Sequence, residues 1–592
     1  MLGLSGVFLL GIGAQWLAWR LRLPAILLLL AAGFAVGPLT GQRLVDPDAL
    51  LGDGLHPFVS LAVAVILFEG GLSLRFDELR GVGRAVAGLL VLGPVVSLVL
   101  TTVFAHTVLS FAWESSALLG AILIVTGPTV VGPLLRHVRP TASVSRVLRW
   151  EGIVTDPIGA VLAVLVFQAF IREDAERGLA VAGLVRATLA GVGAGGAVAF
   201  LTVVLLRRKA IPDFLEGPAV LALAVASFVI ANHVQEESGL LAITLMGIGI
   251  GNQRRVVVEH IVQFEENVRL ILVSVLFILL AARLPAEEFS RLDLASGGFV
   301  VLLLLVVRPA SVLLATTRSG LGIAERAFLA WMAPRGIVAA SVASVFALEL
   351  DPERFPEASA HLMPVVFLVI CATVLVYGLT AAPVASRLGV AKGTPQGVLF
   401  LGAHRWAREI ARALTEGGIE VLLVDRNHSD VQAARIEGLR AHFGNALVDD
   451  FEFRVPLDGI GNLVCLTYND EVNALACLQF ATVFGRDRVY QLPPEPESSD
   501  GEELPPHLRG HLLFGEEVTY WALDARFRSG ALVKRTRLGE EFSFEDFVAE
   551  HAAPDRPVLP LFRIDGEGRL TVWSPDTPPK PEAGDTLIAV VG

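Results

Sequence analysis

Cysteine is almost missing from this chain. Three occur in 592 residues: Cys371 inside an apolar run, and Cys465 and Cys477 toward the C-terminal end. Their spacing fits neither a disulfide framework nor a zinc site, which leaves three packed, reduced thiols. Charge is scarce as well. Asp, Glu, Lys and Arg make up 18% of the residues against 54% apolar ones, and the mean hydropathy is +0.63. Acidic residues gather in the last third and arginines stand in small groups between apolar runs. The net charge of -12 therefore comes with no basic surface of the kind that holds nucleic acid. The N-terminal stretch MLGLSGVFLLGIGAQWLAWRLRLP has no basic n-region and no small-residue cleavage site, so it reads as a first helix and not as a cleaved signal. No TVGYG-like filter occurs, which argues against a potassium-type pore. No nucleophile-base pair marks an enzyme.

What the chain has is apolar length. Windows of about 20 apolar residues place thirteen spans, beginning near residues 2, 24, 57, 84, 114, 150, 180, 215, 239, 262, 295, 326 and 360. The expected fold class is a polytopic α-helical membrane protein over residues 1–390. Cytoplasmic loops hold the positive excess. Alternate loops carry Arg20 and Arg22; Arg75, Arg80 and Arg84; Arg136, Arg139, Arg146 and Arg149; Arg207, Arg208 and Lys209; Arg254 and Arg255; Arg318 and Arg326; and Arg387 and Lys392. The other loops hold fewer, at Arg43, Arg172, Arg177, Arg283, Arg291 and Arg354. This bias puts the N-terminus outside and the C-terminal part in the cytosol.

Two spans contain backbone breaks, at Thr126-Gly127-Pro128 and at Ala333-Pro334-Arg335-Gly336. Gly and Pro free backbone groups that must be satisfied inside protein or a wet cavity, so paired breaks mark the midplane site of a transporter. The two spans are seven apart and oppositely oriented, as an inverted repeat of about six helices per half would make them. Between the breaks in sequence lies Trp150–Phe167, WEGIVTDPIGAVLAVLVF. It carries Glu151, Thr155 and Asp156 into expected bilayer, where an unpaired carboxylate costs roughly 2.5 to 3.5 kcal/mol on insertion scales. On a helix Asp156 lies about 140° round from Glu151, so the two carboxylates point different ways and take different roles, one structural and one that exchanges ions. Pro157 cannot donate its N–H and loosens the helix beside Asp156. Glu69, in AVAVILFEGGLSLRF, reaches a central cavity or caps a helix near the cytosolic face. Arg308 and Arg335 need anionic partners inside the membrane, and Glu151 is the expected partner of Arg335. Glu265, Glu266 and Arg269 have helical spacing for local pairing or for facing the cytosolic mouth.

These residues resemble the monovalent cation/proton antiporter-1 family, in particular its prokaryotic NhaP-type members, over essentially the whole membrane part. In the sixth helix a Glu-Ser pair precedes an Asn-Asp pair in that family, and here the aligned residues are Glu151-Gly152 and Thr155-Asp156. The Thr-Asp-Pro of the broken fifth helix is Thr126-Gly127-Pro128, and LFEGGL around Glu69 and Arg335-Gly336 also match. The resemblance implies a homodimer in the lipid bilayer, with a core domain moving like an elevator and sodium or potassium exchanged for a proton on the aspartate. It also implies a structural Glu151–Arg335 pair. Gly127 and Gly152 replace a carboxylate and a hydroxyl that help to ligate the cation, and Thr155 replaces the Asn. Asp156 is then the sole direct carboxylate ligand of the alkali cation, with the Thr155 hydroxyl, carbonyls near Val125 and Thr126, and Glu69 through water as further oxygen donors. Desolvation favours the protonated carboxyl, so proton and cation compete, and one carboxylate implies electroneutral one-for-one exchange. A ligand-gated cation channel and an anion/proton exchanger stand as alternatives.

After Lys392 the composition changes. TPQGVLFLGAHRWAREIARALTEGGIEVLLVDRN reads strand, turn, helix, strand, with Asp425 ending the second strand, a Rossmann-like start. Gly402 fits the glycine fingerprint, while His404 stands at the second glycine and Ala407 at the third. Residues 396–490 resemble the TrkA-N type domain of regulators of potassium conductance, with 391–495 as its extent. That resemblance implies a regulatory nucleotide, NAD(H), AMP, ADP or ATP, with no cofactor required for transport. Amides near Gly402 and Ala403 would face phosphate and Asp425 would accept a ribose hydroxyl. QLPPEPESSDGEELPP is an acidic, proline-rich linker by composition, and residues 496–592 hold linker and a small α+β module whose ending resembles the C-terminal module that often follows the nucleotide-binding unit in these regulators.

Overall fold

The computed structural model describes every residue except 1, 22, 42–43, 171–178, 284–292, 392–394, 449–450, 452–454, 456, 458, 496–504, 506–507, 516, 553–555 and 576–577. Arg22, Arg43, Arg172, Arg177, Arg291 and Lys392 of the loop pattern, and most of the acidic linker, lie outside the described residues. The chain forms two compact units, Met1–Lys392 and Gly393–Gly592.

The first unit is helical. In chain order its main helices are α1 (Leu2–Leu21), α2 (Ala25–Val36), α3 (Leu55–Ser73), α4 (Gly83–Val108), α5 (Trp113–Ile122), α6 (Pro128–Val138), α7 (Ala142–Phe170) and α8 (Leu179–Arg207). They continue with α9 (Glu216–Val234), α10 (Ser238–Asn252), α11 (Glu259–Arg283), α12 (Leu294–Ala315), α13 (Ile323–Trp331), α14 (Ile337–Glu349) and α15 (Pro356–Arg387). Among the described residues, six are long and apolar enough to cross a membrane: α4, α7, α8, the segment Asp213–Val234, α12 and α15. Shorter apolar helices include Pro57–Ser73 and Ser238–Asn252. These two pack backbone to backbone. A Cβ on Gly247 would lie 2.5 Å from the Phe68 carbonyl oxygen and one on Gly251 2.5 Å from that of Leu72. Glycines four apart let two apolar helices approach where larger residues would hold them off.

Proline accounts for the irregular turns. Pro128 opens α6 at a position whose N–H needs no helical partner. Pro309 cannot donate to Leu305, and the turn Leu303–Val307 just before it is widened into a π-turn that ends at Arg308.

The second unit is α/β. Strands β1 (Gly397–Leu401), β2 (Val421–Asp425), β3 (Arg440–Phe443), β4 (Ile460–Cys465), β5 (Val489–Gln491) and β6 (His511–Leu512) form one sheet in the order β3-β2-β1-β4-β5-β6. Each neighbouring pair is parallel, the doubly wound arrangement in which ligands bind beyond the carboxyl ends of the central strands. Every residue of β1 and β4 is buried, as strands covered by helices on both faces require. The covering helices include α16 (Arg405–Glu416), α17 (His428–Ile436) and α18 (Asp470–Phe484). The parallel sheet takes its last strand from beyond residue 495, on the far side of the linker. Helices α19 (Tyr520–Arg528) and α20 (Phe544–His551) accompany a second, antiparallel sheet in the order β7-β10-β8-β9, built from β7 (Leu532–Arg537), β8 (Leu559–Ile564), β9 (Leu570–Val572) and β10 (Thr586–Val591).

Candidate ion-binding site

Two helices break and meet at one point. The first is interrupted between α5 and α6, the second between α13 and α14, at the glycine-proline segments expected from sequence. The Gly127 N–H donates to the Pro334 carbonyl at 3.0 Å. A Cβ on Gly127 would sit 2.4 Å from the Gly336 Cα, and the converse holds for Gly336. Both positions therefore exclude any side chain, and the carboxylate missing at Gly127 is the steric condition for this crossing. Gly152 differs: a Cβ there would make ordinary contacts of 3.6–3.7 Å with Val131 and Pro128.

The crossing brings the N-termini of α6 and α14 together with the C-terminal ends of α5 and α13, and helix ends carry partial charges of opposite sign. Arg335 answers the negative end. Its Nη1 donates to the Ile124 and Val125 carbonyls at 2.9 and 3.0 Å, and its backbone N–H to Thr373 Oγ1 at 3.2 Å. The Val125 carbonyl, expected as a cation ligand, is thus already engaged by a guanidinium.

The expected Glu151–Arg335 pair is corrected by these contacts. Arg308, not Arg335, meets Glu151 in a buried two-pronged pair: Nη2 reaches Oε2 at 2.9 Å and Nη1 reaches Oε1. Arg308 Nε donates to the Leu329 carbonyl at 3.0 Å. The physical reason is reach, because the π-turn before Arg308 places its side chain opposite Glu151 while Arg335 is spent on the carbonyls of the first break.

Asp156 is wholly buried on α7 and neither carboxylate oxygen has a hydrogen-bond partner. The Thr126 amide approaches it without reaching full hydrogen-bond geometry. Pro157, inside the helix, leaves the Ile153 carbonyl without its usual donor. The hydroxyls of Thr126, Thr129 and Thr155 are likewise buried and unpartnered. A cavity of about 10 Å³ at Asp156 is lined by Val63, Ile66, Leu67, Pro128, Thr129 and Val338, space for no more than one water-sized particle. Thr129 was not foreseen; the available signal was its place three residues after Thr126, across the break. A carboxylate that shares a cavity with a threonine suits a hard monovalent cation, which takes oxygen ligands.

Glu69 does not line that cavity. It belongs to a larger one of about 340 Å³ together with Ser145, Arg136, Arg149, Glu266 and Arg269, and its Oε2 forms an ion pair with Arg269 Nε at 3.0 Å. Ile66, Pro128 and Thr129 line both cavities and so form the wall between this vestibule and Asp156.

In the second unit the residues expected to hold a nucleotide hold each other. Gly402 has φ +116°, the conformation for which glycine is needed at the end of β1. The Ala403 N–H donates to Asp425 Oδ2 at 2.7 Å and the Asn427 N–H to Oδ1 at 2.8 Å, which occupies the carboxylate meant for ribose. The His404 Nε2–H donates to the Leu466 carbonyl at 2.8 Å, and Nδ1 accepts the Ala407 N–H at 3.4 Å, capping α16. Trp406 and Tyr520 pack on the imidazole with ring centroids at 4.1 and 5.3 Å. Burial pushes this histidine below its usual range, in keeping with a neutral ring that donates on one side and accepts on the other. These residues do not fit a dinucleotide, since the imidazole fills the cradle of the pyrophosphate.

Residues 5–387 match the family model described as sodium/hydrogen exchanger, transmembrane, and residues 398–496 match the TrkA-N domain. A probable Na(+)/H(+) antiporter 2 of Methanocaldococcus jannaschii is 25% identical over 59% of this chain and 85% of its own length. The K(+)/H(+) antiporter NhaP of Alkalimonas amylolytica is 27% identical over 64% of this chain and 65% of its own. The solved structure of the sodium proton antiporter MjNhaP1 from Methanocaldococcus jannaschii superposes with a TM-score of 0.56 at 22% identity, covering 65% of this chain and 97% of that one; at that identity the likeness speaks to the fold. With the family model spanning well over half of the chain, the protein belongs to the transmembrane sodium/hydrogen exchanger family, as a monovalent cation/proton antiporter that carries a TrkA-N domain.

Proposed function

We propose that the protein exchanges one sodium or potassium ion for one proton at Asp156, without net charge movement. The observation that carries this reading is the Asp156 carboxylate itself, fully buried, unpartnered and facing a small cavity walled by Pro128, Thr129 and Val338 of the two broken helices. A carboxylate in that setting is costly when bare, so it holds either a proton or a cation, and the two exclude each other. Thr126, Thr129 and Thr155 supply neutral oxygens and Arg335 fixes the broken backbone. Glu151 and Arg308 cancel each other and leave Asp156 as the exchanging group.

In this reading the thirteen helical elements cross the inner membrane of a prokaryote, with the two broken ones related by an inverted repeat. The arginine-lined vestibule opens to the cytosol, as its Arg136 and Arg149 belong to the positive loops. The chain works as a homodimer whose core carries the site across like an elevator. The second unit regulates transport from the cytosol without a dinucleotide in the usual pose.

The test is proton flux in inside-out vesicles, followed with a pH-sensitive dye while sodium, potassium or lithium is added, for wild type and Asp156→Asn. Cation-dependent flux lost on substitution supports the reading; flux that survives removes Asp156 as the carrier.

A further inference from the structure

Asp156 is not the only buried carboxylate without a partner. Glu265, on α11, is fully buried, and neither of its oxygens accepts a hydrogen bond. Its acidic neighbour is Glu69 on α3, whose charge bears directly on it. We propose that Glu265, buried behind the vestibule next to the lining residue Glu266, is a second proton-binding residue, which carries a proton at rest and on losing it draws a monovalent cation into the vestibule beside Glu69. The inference rests on the antiport reading for its purpose, but not for the state of the carboxyl.

Charge balance supports it. Glu69 is paired with Arg269 at 3.0 Å. Glu266 lies 3.6 Å from Arg136 of α6 and 3.7 Å from Arg269. Arg149 of α7 is taken by Glu78 at 3.2 Å, and Glu216 of α9 by His260 at 2.5 Å. Of the other elements packed on α11, α2 has no ionisable side chain and α1 has only Arg20. Arg283, at the other end of α11, pairs with Asp48. Among the described residues, the three carboxylates Glu69, Glu265 and Glu266 therefore meet two guanidinium groups, Arg136 and Arg269, that no other carboxylate takes, and Glu265 is the one left over. The cluster is neutral only when Glu265 holds a proton. A bare carboxylate buried without hydrogen bonds costs several kcal/mol, more than neutralising it by protonation does.

Deprotonation leaves a negative charge beside Glu69, and the polar vestibule above the Asp156 wall is where a monovalent cation can answer it. Glu265 thereby links cytosolic alkalinity to cation supply without touching the exchange site.

The experiment compares Glu265→Gln with wild type, because glutamine keeps the shape of the protonated carboxyl and leaves the fold intact. In inside-out vesicles the two proteins should show the same half-saturating cation concentration on the acid side. On the alkaline side the variant should need about 3-fold more or greater, since only wild type gains the charge there. Coincident values at every pH, or a constant offset, overturn the proposal, the latter because a merely structural role shifts all values alike. A second readout needs no transport: infrared spectra of purified full-length Asp156→Asn should show a protonated-carboxyl band near neutral pH that disappears in Asp156→Asn/Glu265→Gln. An unchanged band also overturns it, whether or not antiport occurs.

Discussion

Replacing Arg308 by methionine removes the guanidinium that meets both Glu151 oxygens and the Leu329 carbonyl. Glu151 stays buried, 5% exposed, and loses its counter-charge. Breaking such a pair from one side costs about 3–5 kcal/mol, because an uncompensated charge remains. Glu151→Leu should cost a similar amount for the mirror reason. The double variant Glu151→Leu/Arg308→Met removes both charges and should recover most of the loss, since apolar replacement of a buried ion pair is close to neutral. The coupling between the two positions, the two single losses less that of the double variant, should therefore be about 4 kcal/mol or more. Arg335→Met should show little coupling to Glu151, because its partners are the Ile124 and Val125 carbonyls. Thermal unfolding of the detergent-purified wild type, the three single variants and the doubles Glu151→Leu/Arg308→Met and Glu151→Leu/Arg335→Met, with yield as a cross-check, reads both couplings. Equal coupling of Glu151 to Arg335 and to Arg308, or an Arg308→Met loss no larger than about 0.5 kcal/mol, as for surface changes, would refute the assignment.

Other predictions are shorter. Gly127→Ala should abolish transport and lower stability, because the added carbon meets the Gly336 backbone at 2.4 Å, while Gly152→Ser should fold normally; yield and flux separate the two. Thr129→Val, which removes an unpaired hydroxyl from the wall of the Asp156 cavity, should raise the half-saturating cation concentration several-fold and leave folding unchanged. With one carboxylate and neutral oxygens, potassium should drive proton exchange better than sodium at matched concentration, and equal rates contradict this. His404 sits below its usual range because it is buried, so its contribution to stability is complete above about pH 6.5 and falls as acid protonates the unfolded chain more readily than the folded one. Hydrogen-exchange protection near β1 and α16, taken relative to the intrinsic exchange rate at each pH, should fall between about pH 7 and pH 5, and His404→Gln should flatten that fall. NAD(H) should not bind wild type in the usual pose at the β1 turn, and His404→Gly should admit it.

Both backbone breaks were legible because glycine and proline act locally: Gly127-Pro128 and Pro334-Gly336 interrupt helices whatever surrounds them. The divergence of Glu151 and Asp156 followed from the helical period. Which arginine meets Glu151 was not legible, since it depends on the π-turn before Arg308 and on the carbonyls that occupy Arg335, and these are tertiary facts. The partner of Glu69 was not legible either, since Arg269 stands 200 residues away in sequence. Thr129 carried no pattern beyond its hydroxyl, and only the cavity wall gives it meaning. In the tail, His404 announced a damaged fingerprint, but its bonds to Leu466 and Ala407 could not be read from the chain.

The central claim is that one carboxylate, Asp156, holds either a proton or a cation. It is tested most directly by adding sodium or potassium to the purified protein in weak buffer and counting protons released against cations bound. The account predicts about one proton per cation at Asp156, among the described residues the one carboxylate lining that cavity, and no release from Asp156→Asn in a Glu265→Gln background. Cation binding without proton release, or release that persists in the variant, would contradict it.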